Sequence, residues 1–253
     1  TYEGMYAAVK TRGANYSLTT IFTYTMLANL ADAHYQACYR NNNFAPCAWA
    51  DIEPYQPKGC NNNALKDVND ANVVYTAAGH SACGLTGSVS DVVFAKIAHN
   101  GQKCGVVDLN GNMYEVAAGY IASAAGAHLV LKESIDVKNL TAAVAYTTTN
   151  YDALTMPLTL DGTSTAFGNG TNQFFSGDTV RTNNAYRLDN LGLPLNDNAV
   201  SPSGTNRFGQ DGFWRYQVNE MCPIVGGTWS HSGLSGVRAR YLSDVRSNSN
   251  SYV

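Results

Sequence analysis

The chain of 253 residues is short of charge. Asp, Glu, Lys and Arg make up 14 % of it, against about a quarter in an average soluble protein. The 16 basic and 19 acidic side chains give a net charge of 16 − 19 = −3. That balance offers no broad footprint for nucleic acid or for an anionic membrane surface. No apolar run approaches the roughly 18 residues of a membrane-spanning helix, so membrane insertion is not expected. CxxC pairs, HExxH, GxSxG and a Walker loop are all missing, which removes zinc-ribbon, thioredoxin, zincin, hydrolase-elbow and phosphate-loop chemistry. The five histidines (His34, His80, His99, His128 and His231) are scattered and read as structural or surface groups. No metal or cofactor is expected. The chain opens at Thr1 without an apolar leader, which says little about targeting in a trimmed or mature form.

Other residues are plentiful. Asn is about a tenth of the chain, with 23 Gly and 16 Tyr, and hydrophobic residues reach 45 %. So few charges and so many tyrosines exclude a disordered chain. The length suits one domain spanning 1–253, with long loop insertions. Its surface must be built from amides and hydroxyls, a composition that suits extracellular or virion proteins. The six cysteines (Cys38, Cys47, Cys60, Cys83, Cys104 and Cys222) are too sparse for a disulfide scaffold. Their spacing allows local bridges such as Cys38–Cys47 or Cys60–Cys83 in an oxidising setting, and free thiols equally well.

Leu18, Phe22, Met26, Leu30, Ala33 and Ala37 recur at three- and four-residue steps, which predicts a helix over 18–38 with Ser17 as N-cap and His34 turned away from its apolar face. A weaker helical signal covers 64–70. Val73–Tyr75, Val92–Ile97 and Val106–Leu109 read as short strands or ordered loop edges, and 115–131 as a mix of strand-like and small residues. From 141 to 211 the composition predicts long ordered loops with short strands. The fold class is α+β, loop-rich, with few helices and short antiparallel strands.

Two separated segments carry the sharpest signals. Asp108-Leu-Asn-Gly-Asn-Met-Tyr-Glu-Val116 alternates oxygen-bearing side chains. An EF-hand loop needs Gly at its sixth position and Glu at its twelfth, and Met113 and Gly119 stand there, so that calcium site is excluded. Taken alone the segment is a turn at Asn110–Asn112 leading into a strand. Far downstream lies Gly226-Gly-Thr-Trp229. Together the two resemble the formylglycine-generating-enzyme branch of the C-type lectin fold, through Asp108, Gly111, Asn112 and Glu115 followed by Gly226, Gly227, Thr228 and Trp229, although Val116 replaces the family's usual Trp. The resemblance implies that fold. In those enzymes paired cysteines beyond the second segment hold copper for redox chemistry, where soft Cu(I) requires thiolates. No cysteine occurs from Gly226 to Val253, so oxidase activity is not expected.

The tail from Gly226 to Val253 also resembles the variable region of proteins diversified by retroelements. Gly226, Gly227, Trp229, Gly233, Gly236, Val237, Leu242 and Arg246 match that family's frame, and Arg246-Ser-Asn-Ser-Asn250 its ending. The resemblance implies that an error-prone reverse transcriptase randomises adenines in AAY codons. The positions open to change are Thr228, Ser230, His231, Ser232, Leu234, Ser235, Arg238, Arg240, Tyr241, Ser243, Asp244 and Tyr252. AAY codons randomised in this way never yield Lys, Glu, Gln, Met or Trp, and none of the twelve is one of those. The frame is expected to supply burial and backbone geometry, and the interleaved side chains to face solvent as binding groups. Tyr241, Arg238, Arg240 and His231 would be anchors and serines the rim. The implied protein is a non-enzymatic binder of a protein or glycan on a target cell, displayed on a virion or microbial surface, its oligomeric state open. The competing readings are an oxidase of the formylglycine-generating class and an invariant viral fibre or decoration protein.

Overall fold

The computed structural model describes residues 2–41, 59–67, 70–122, 128–140, 149–154, 172–174, 212–215, 221–231, 235–237 and 239–245. Three α-helices are found among them, α1 (Tyr2–Lys10), α2 (Ile21–Asn41) and α3 (Asp91–Ile97), with short 3-10 turns at Thr86–Ser88 and Val137–Asn139. The strands are short. They are β1 (Thr76–Ala77), β2 (Gly84–Leu85), β3 (Glu115–Val116), β4 (Tyr120–Ala122), β5 (His128–Leu131), β6 (Tyr151–Leu154), β7 (Asn172–Phe174), β8 (Gly212–Arg215), β9 (Met221–Val225) and β10 (Arg240–Val245). They form a β1–β2 pair, a three-stranded sheet β4-β5-β6 and a five-stranded sheet β3-β9-β10-β8-β7. Every pairing is antiparallel except β8 with β10. The chain is thus mixed α and β, with few helices and small sheets. Most of the 141–211 stretch lies outside the described residues.

The long helix departs from its expected form. It starts at Ile21, and its cap is Thr20, not Ser17: Thr23 N donates to Thr20 Oγ1 at 3.1 Å, supplying one of the orphan first-turn partners. The stripe it buries is Ile21, Tyr24, Thr25, Ala28 and Ala31, whereas Met26 is 53 % and Leu30 42 % exposed. Two adjacent apolar stripes compete on this helix, and periodicity alone does not rank them. The alanine stripe wins because small side chains let the helix approach its neighbours closely. A groove of about 1300 Å³ opens between the losing stripe and residues 130–137. His34 is exposed, as its position predicts.

Other local expectations fail for local reasons. Residues 91–97 are helix, not strand. Val93 N donates to Ser90 Oγ at the N-cap, Asp91 sits in the first turn and Lys96 in the last, an arrangement that outweighs two β-branched valines. Residues 64–67 form no helix; they make a turn and a single bridge from Lys66 to Val74. Residues 106–109 are irregular, the loop-edge form that their sequence also allows. Helix α1 was not foreseen; it is held by Tyr2 and Tyr6, one turn apart and both buried.

The register of the five-stranded sheet sorts its side chains onto two faces. Glu115 and Arg240 both oppose Val225, while Val116 and Tyr241 both oppose Ile224. Side chains alternate across a sheet, so Glu115, Val225 and Arg240 share one face and Val116, Ile224 and Tyr241 the other. The second face joins Tyr2, Tyr6, Ile121 and Leu129 in one core. A second core gathers Ala28, Ala31, Cys60, Tyr75 and Val237.

Candidate functional site

The two segments singled out by their sequence meet. Gly111 N donates to Gly226 O at 2.8 Å, and Trp229 N donates to Asn112 O at 2.9 Å. The turn that makes this possible is left-handed at Asp108 (φ 70), Gly111 (φ 72) and Asn112 (φ 59), a conformation that Asp, Asn and Gly reach at least cost. Asn112 also acts as a piece of strand. Its Oδ1 accepts from Gly84 N at 2.9 Å, and its Nδ2 donates to Gly84 O at 3.1 Å and to Asp108 Oδ1 at 3.0 Å. A side-chain amide presents the donor and acceptor of a peptide group, and only Asn or Gln can do this.

A third loop closes the site. Asn112 N donates to Cys60 O at 2.8 Å, and Asn63 N donates to Trp229 O at 2.6 Å. Asn62 and Asn63 are both left-handed, with φ 55, which explains the amide run at 61–63. The exposed His80, on the β1–β2 hairpin, meets the half-buried Trp229 ring edge-on with centroids 6.1 Å apart. Trp229 is therefore less buried than a frame residue was expected to be.

At the end of the 226–231 loop sits an aromatic cluster. Tyr114 Oη lies 2.8 Å from His231 Nε2, and Tyr241 Oη lies 3.0 Å from His231 Nδ1. The three ring centroids are 5.1 Å apart pairwise. A neutral imidazole has one donor and one acceptor nitrogen, so it satisfies both hydroxyls at once. Burial pushes the His231 imidazole down to about 4 and the Glu115 carboxyl up to about 8. Both groups are therefore mostly uncharged near neutrality.

The positions expected to vary divide sharply. Thr228, Ser235, Arg240 and Tyr241 are buried, at 5 %, 0 %, 0 % and 3 % exposure, which corrects the expectation that they face solvent. Arg240 points from the sheet toward α2, where its guanidinium donates to Val237 O, Ala239 O and Thr25 Oγ1. Tyr241 fills the opposite core, and its hydroxyl meets His231. Ser235 Oγ donates to Thr228 O at 3.0 Å, and Thr228 Oγ1 accepts from Ser230 N at 3.2 Å. These groups serve the fold. Ser230 is exposed and His231 half-buried. Asp244 is half-buried further along β10, in register with Cys222, whose thiol donates to its carbonyl. Ser232, Leu234, Arg238, Tyr252, Gly233 and Arg246 lie outside the described residues, as does the Ser243 side chain. The frame residues Gly226, Gly227, Gly236, Val237 and Leu242 are all buried. Tyr114, His80 and Asn63 join the site without having been expected there. The only sequence signals for them were the turn before Tyr114 and the amide run.

No protein-family model matches the chain, and no curated protein matches it either.

Proposed function

We propose that the chain is a non-enzymatic binding protein with a C-type lectin fold of the formylglycine-generating-enzyme type, whose tail is diversified to bind a protein or glycan on a target cell. The observation that carries this reading is the docking of the 226–231 loop on the 108–112 turn by backbone hydrogen bonds. Main-chain contacts hold the loop whatever its outward side chains are, which is what a variable surface requires. The contact set is revised to Ser230 and His231, together with Ser232, Leu234, Arg238, Ser243, Asp244 and Tyr252. Thr228, Ser235, Arg240 and Tyr241 belong to the frame. Display on a virion or microbial cell surface fits the neutral, amide-rich composition.

The chemistry near the second segment favours binding over oxidation. Cys222 is the nearest cysteine to it in sequence; its thiol is buried, donates to Asp244 O at 3.6 Å and is pushed up to about 12. Such a thiol is a poor copper ligand or nucleophile near neutrality.

The test is at the nucleotide level. Downstream of the coding region, beside a reverse-transcriptase gene, there should be a near-copy of codons 228–252 whose mismatches fall at adenines. Sequenced siblings should then differ at 230, 231, 232, 234, 238, 243, 244 and 252, and keep 228, 235, 240 and 241. Substitutions spread evenly along the chain would overturn diversification and leave the invariant fibre reading. Copper bound stoichiometrically, with turnover of a thiol peptide, would overturn the binding reading.

A further inference from the structure

Two loops flank Trp229, and each carries a buried cysteine. Cys60 and Cys83 are both 1 % exposed and both free thiols. Cys60 belongs to the loop whose Asn63 N donates to Trp229 O. Cys83 closes the β1–β2 hairpin turn, through Cys83 N to His80 O at 3.1 Å and Ala78 N to Cys83 O at 2.9 Å, and His80 is the residue that meets the Trp229 ring. Cys60 Sγ donates to Ala82 O at 2.8 Å. That carbonyl is one trans peptide, about 2.8 Å, from the Cys83 Cα. The Cys60 sulfur therefore lies within about 5.6 Å of the Cys83 Cα, so the two residues are neighbours in space, as a disulfide requires. Both residues also clasp Asn112: its N donates to Cys60 O, and its O accepts from Cys83 Sγ at 3.8 Å. The free cysteines elsewhere among the described residues are Cys104, which is exposed, and Cys222, on β9.

We propose that Cys60 and Cys83 are a disulfide site, a staple that ties together the two loops flanking Trp229 when the protein folds in an oxidising compartment. The oxidant is a small external disulfide. One protein thiolate attacks it and expels a thiolate; the second protein sulfur then attacks the mixed disulfide and expels the other. One S–S bond forms as one breaks. The protein gives up two protons and two electrons, and the external disulfide becomes two thiols. The step belongs to folding, before burial, because the folded Cys60 thiol is pushed up to about 11 by its surroundings and reacts slowly. The staple rests on loop geometry and does not depend on the binding reading; what it adds to that reading is a fixed flank for the Trp229 loop.

The full chain is refolded in a glutathione redox buffer and, separately, with excess reductant. The oxidised protein should weigh two hydrogens less, and proteolytic mapping should link the peptides of Cys60 and Cys83. Closing this loop should raise the melting temperature by roughly 6–12 °C over the reduced form. Cys60→Ser and Cys83→Ser should each abolish the linked peptide and the redox-dependent shift, and Cys104→Ser should keep both. A wild-type map that links either residue to another cysteine, or to none, overturns the staple. So does an oxidised form that melts at or below the reduced one. The map on the wild-type chain decides the matter even if a serine variant fails to fold.

Discussion

The loop 226–231 and the start of β10 are neighbours in one segment, yet they treat side chains in opposite ways. At Gly226 and Trp229 the main chain makes the contacts that dock the loop: Gly226 O accepts from Gly111 N and Gly236 N, and Trp229 bonds through both its N and its O, while the Thr228 and His231 side chains pair within and beside the loop. Ser230 is left outside. At 240–242 the side chains are the contacts, because the strand lies between β8 and β9 with a core on one side and α2 on the other. Arg240, Tyr241 and Leu242 are all buried. A segment read as one alternating series of frame and variable positions is therefore two regimes. On the proposed reading, substitution is compatible with the fold at the exposed Ser230 and not at Arg240 and Tyr241, whose side chains the sheet buries on its two faces.

The largest expected effect breaks the strand side of this contrast. Arg240→Ala removes the donors that serve Val237 O, Ala239 O and Thr25 Oγ1 and leaves a void in a fully buried position. Stranded carbonyls and lost volume together should cost roughly 3–5 kcal/mol, read as a lower midpoint in urea denaturation. An equal loss from Ser230→Ala, or none from Arg240→Ala, would erase the distinction between the two halves.

Gly227→Ala tests whether the loop depends on its backbone. Gly227 has φ +80, and a Cβ there would lie 2.7 Å from the Cα of Ser235. The left-handed conformation and the backbone clash should cost about 1–3 kcal/mol. Ser230→Ala, on the same loop but facing out, should stay within about 0.5 kcal/mol. Thermal melts of the pair read the difference.

How much of this was legible beforehand obeys the same physical distinction. The junction of 108–112 with 226–229 was suggested by the family resemblance of the two segments, whose Asp, Gly and Asn stand where left-handed turns and close backbone approaches admit few residue types. The burial of Arg240 could not be. It depends on which strand lies on each side of β10 and on the parallel pairing with β8, and neither leaves a local pattern. For α2, the alanine stripe and the Met26–Leu30 stripe both satisfy a helical period, and only the tertiary partner chose between them. At 91–97 the valines argued for a strand, and one serine cap with flanking charges decided for a helix. Tyr114 entered the site through a hydrogen bond to a residue 117 positions away, a relation invisible to local reading.

The smallest effect concerns pH, and it pits the loop against the sheet. His231 has its folded value pushed down to about 4, below the roughly 6.5 of an unfolded chain. The unfolded state then binds more protons between those values. The stability this group supplies is present above about 6.5 and is lost as pH falls toward 4. Glu115 behaves oppositely. Its folded value is raised to about 8, so its contribution is present below about 4.3 and is lost as pH rises through 8. Between about 4.3 and 6.5 the two slopes oppose each other, so these groups together give a flat profile there and a fall above about 6.5. His231→Asn should unmask the Glu115 slope, with stability falling steadily from pH 4 to 8. Glu115→Gln should unmask the His231 slope, with stability rising from pH 4 to 6.5 and level beyond. After allowance for partial solvent screening each slope is worth about 1–2 kcal/mol in total, measurable as urea midpoints at pH 4, 5.5 and 8. A wild-type profile unchanged by His231→Asn would place that imidazole in water, away from Tyr114 and Tyr241, and with it the wall of the proposed surface.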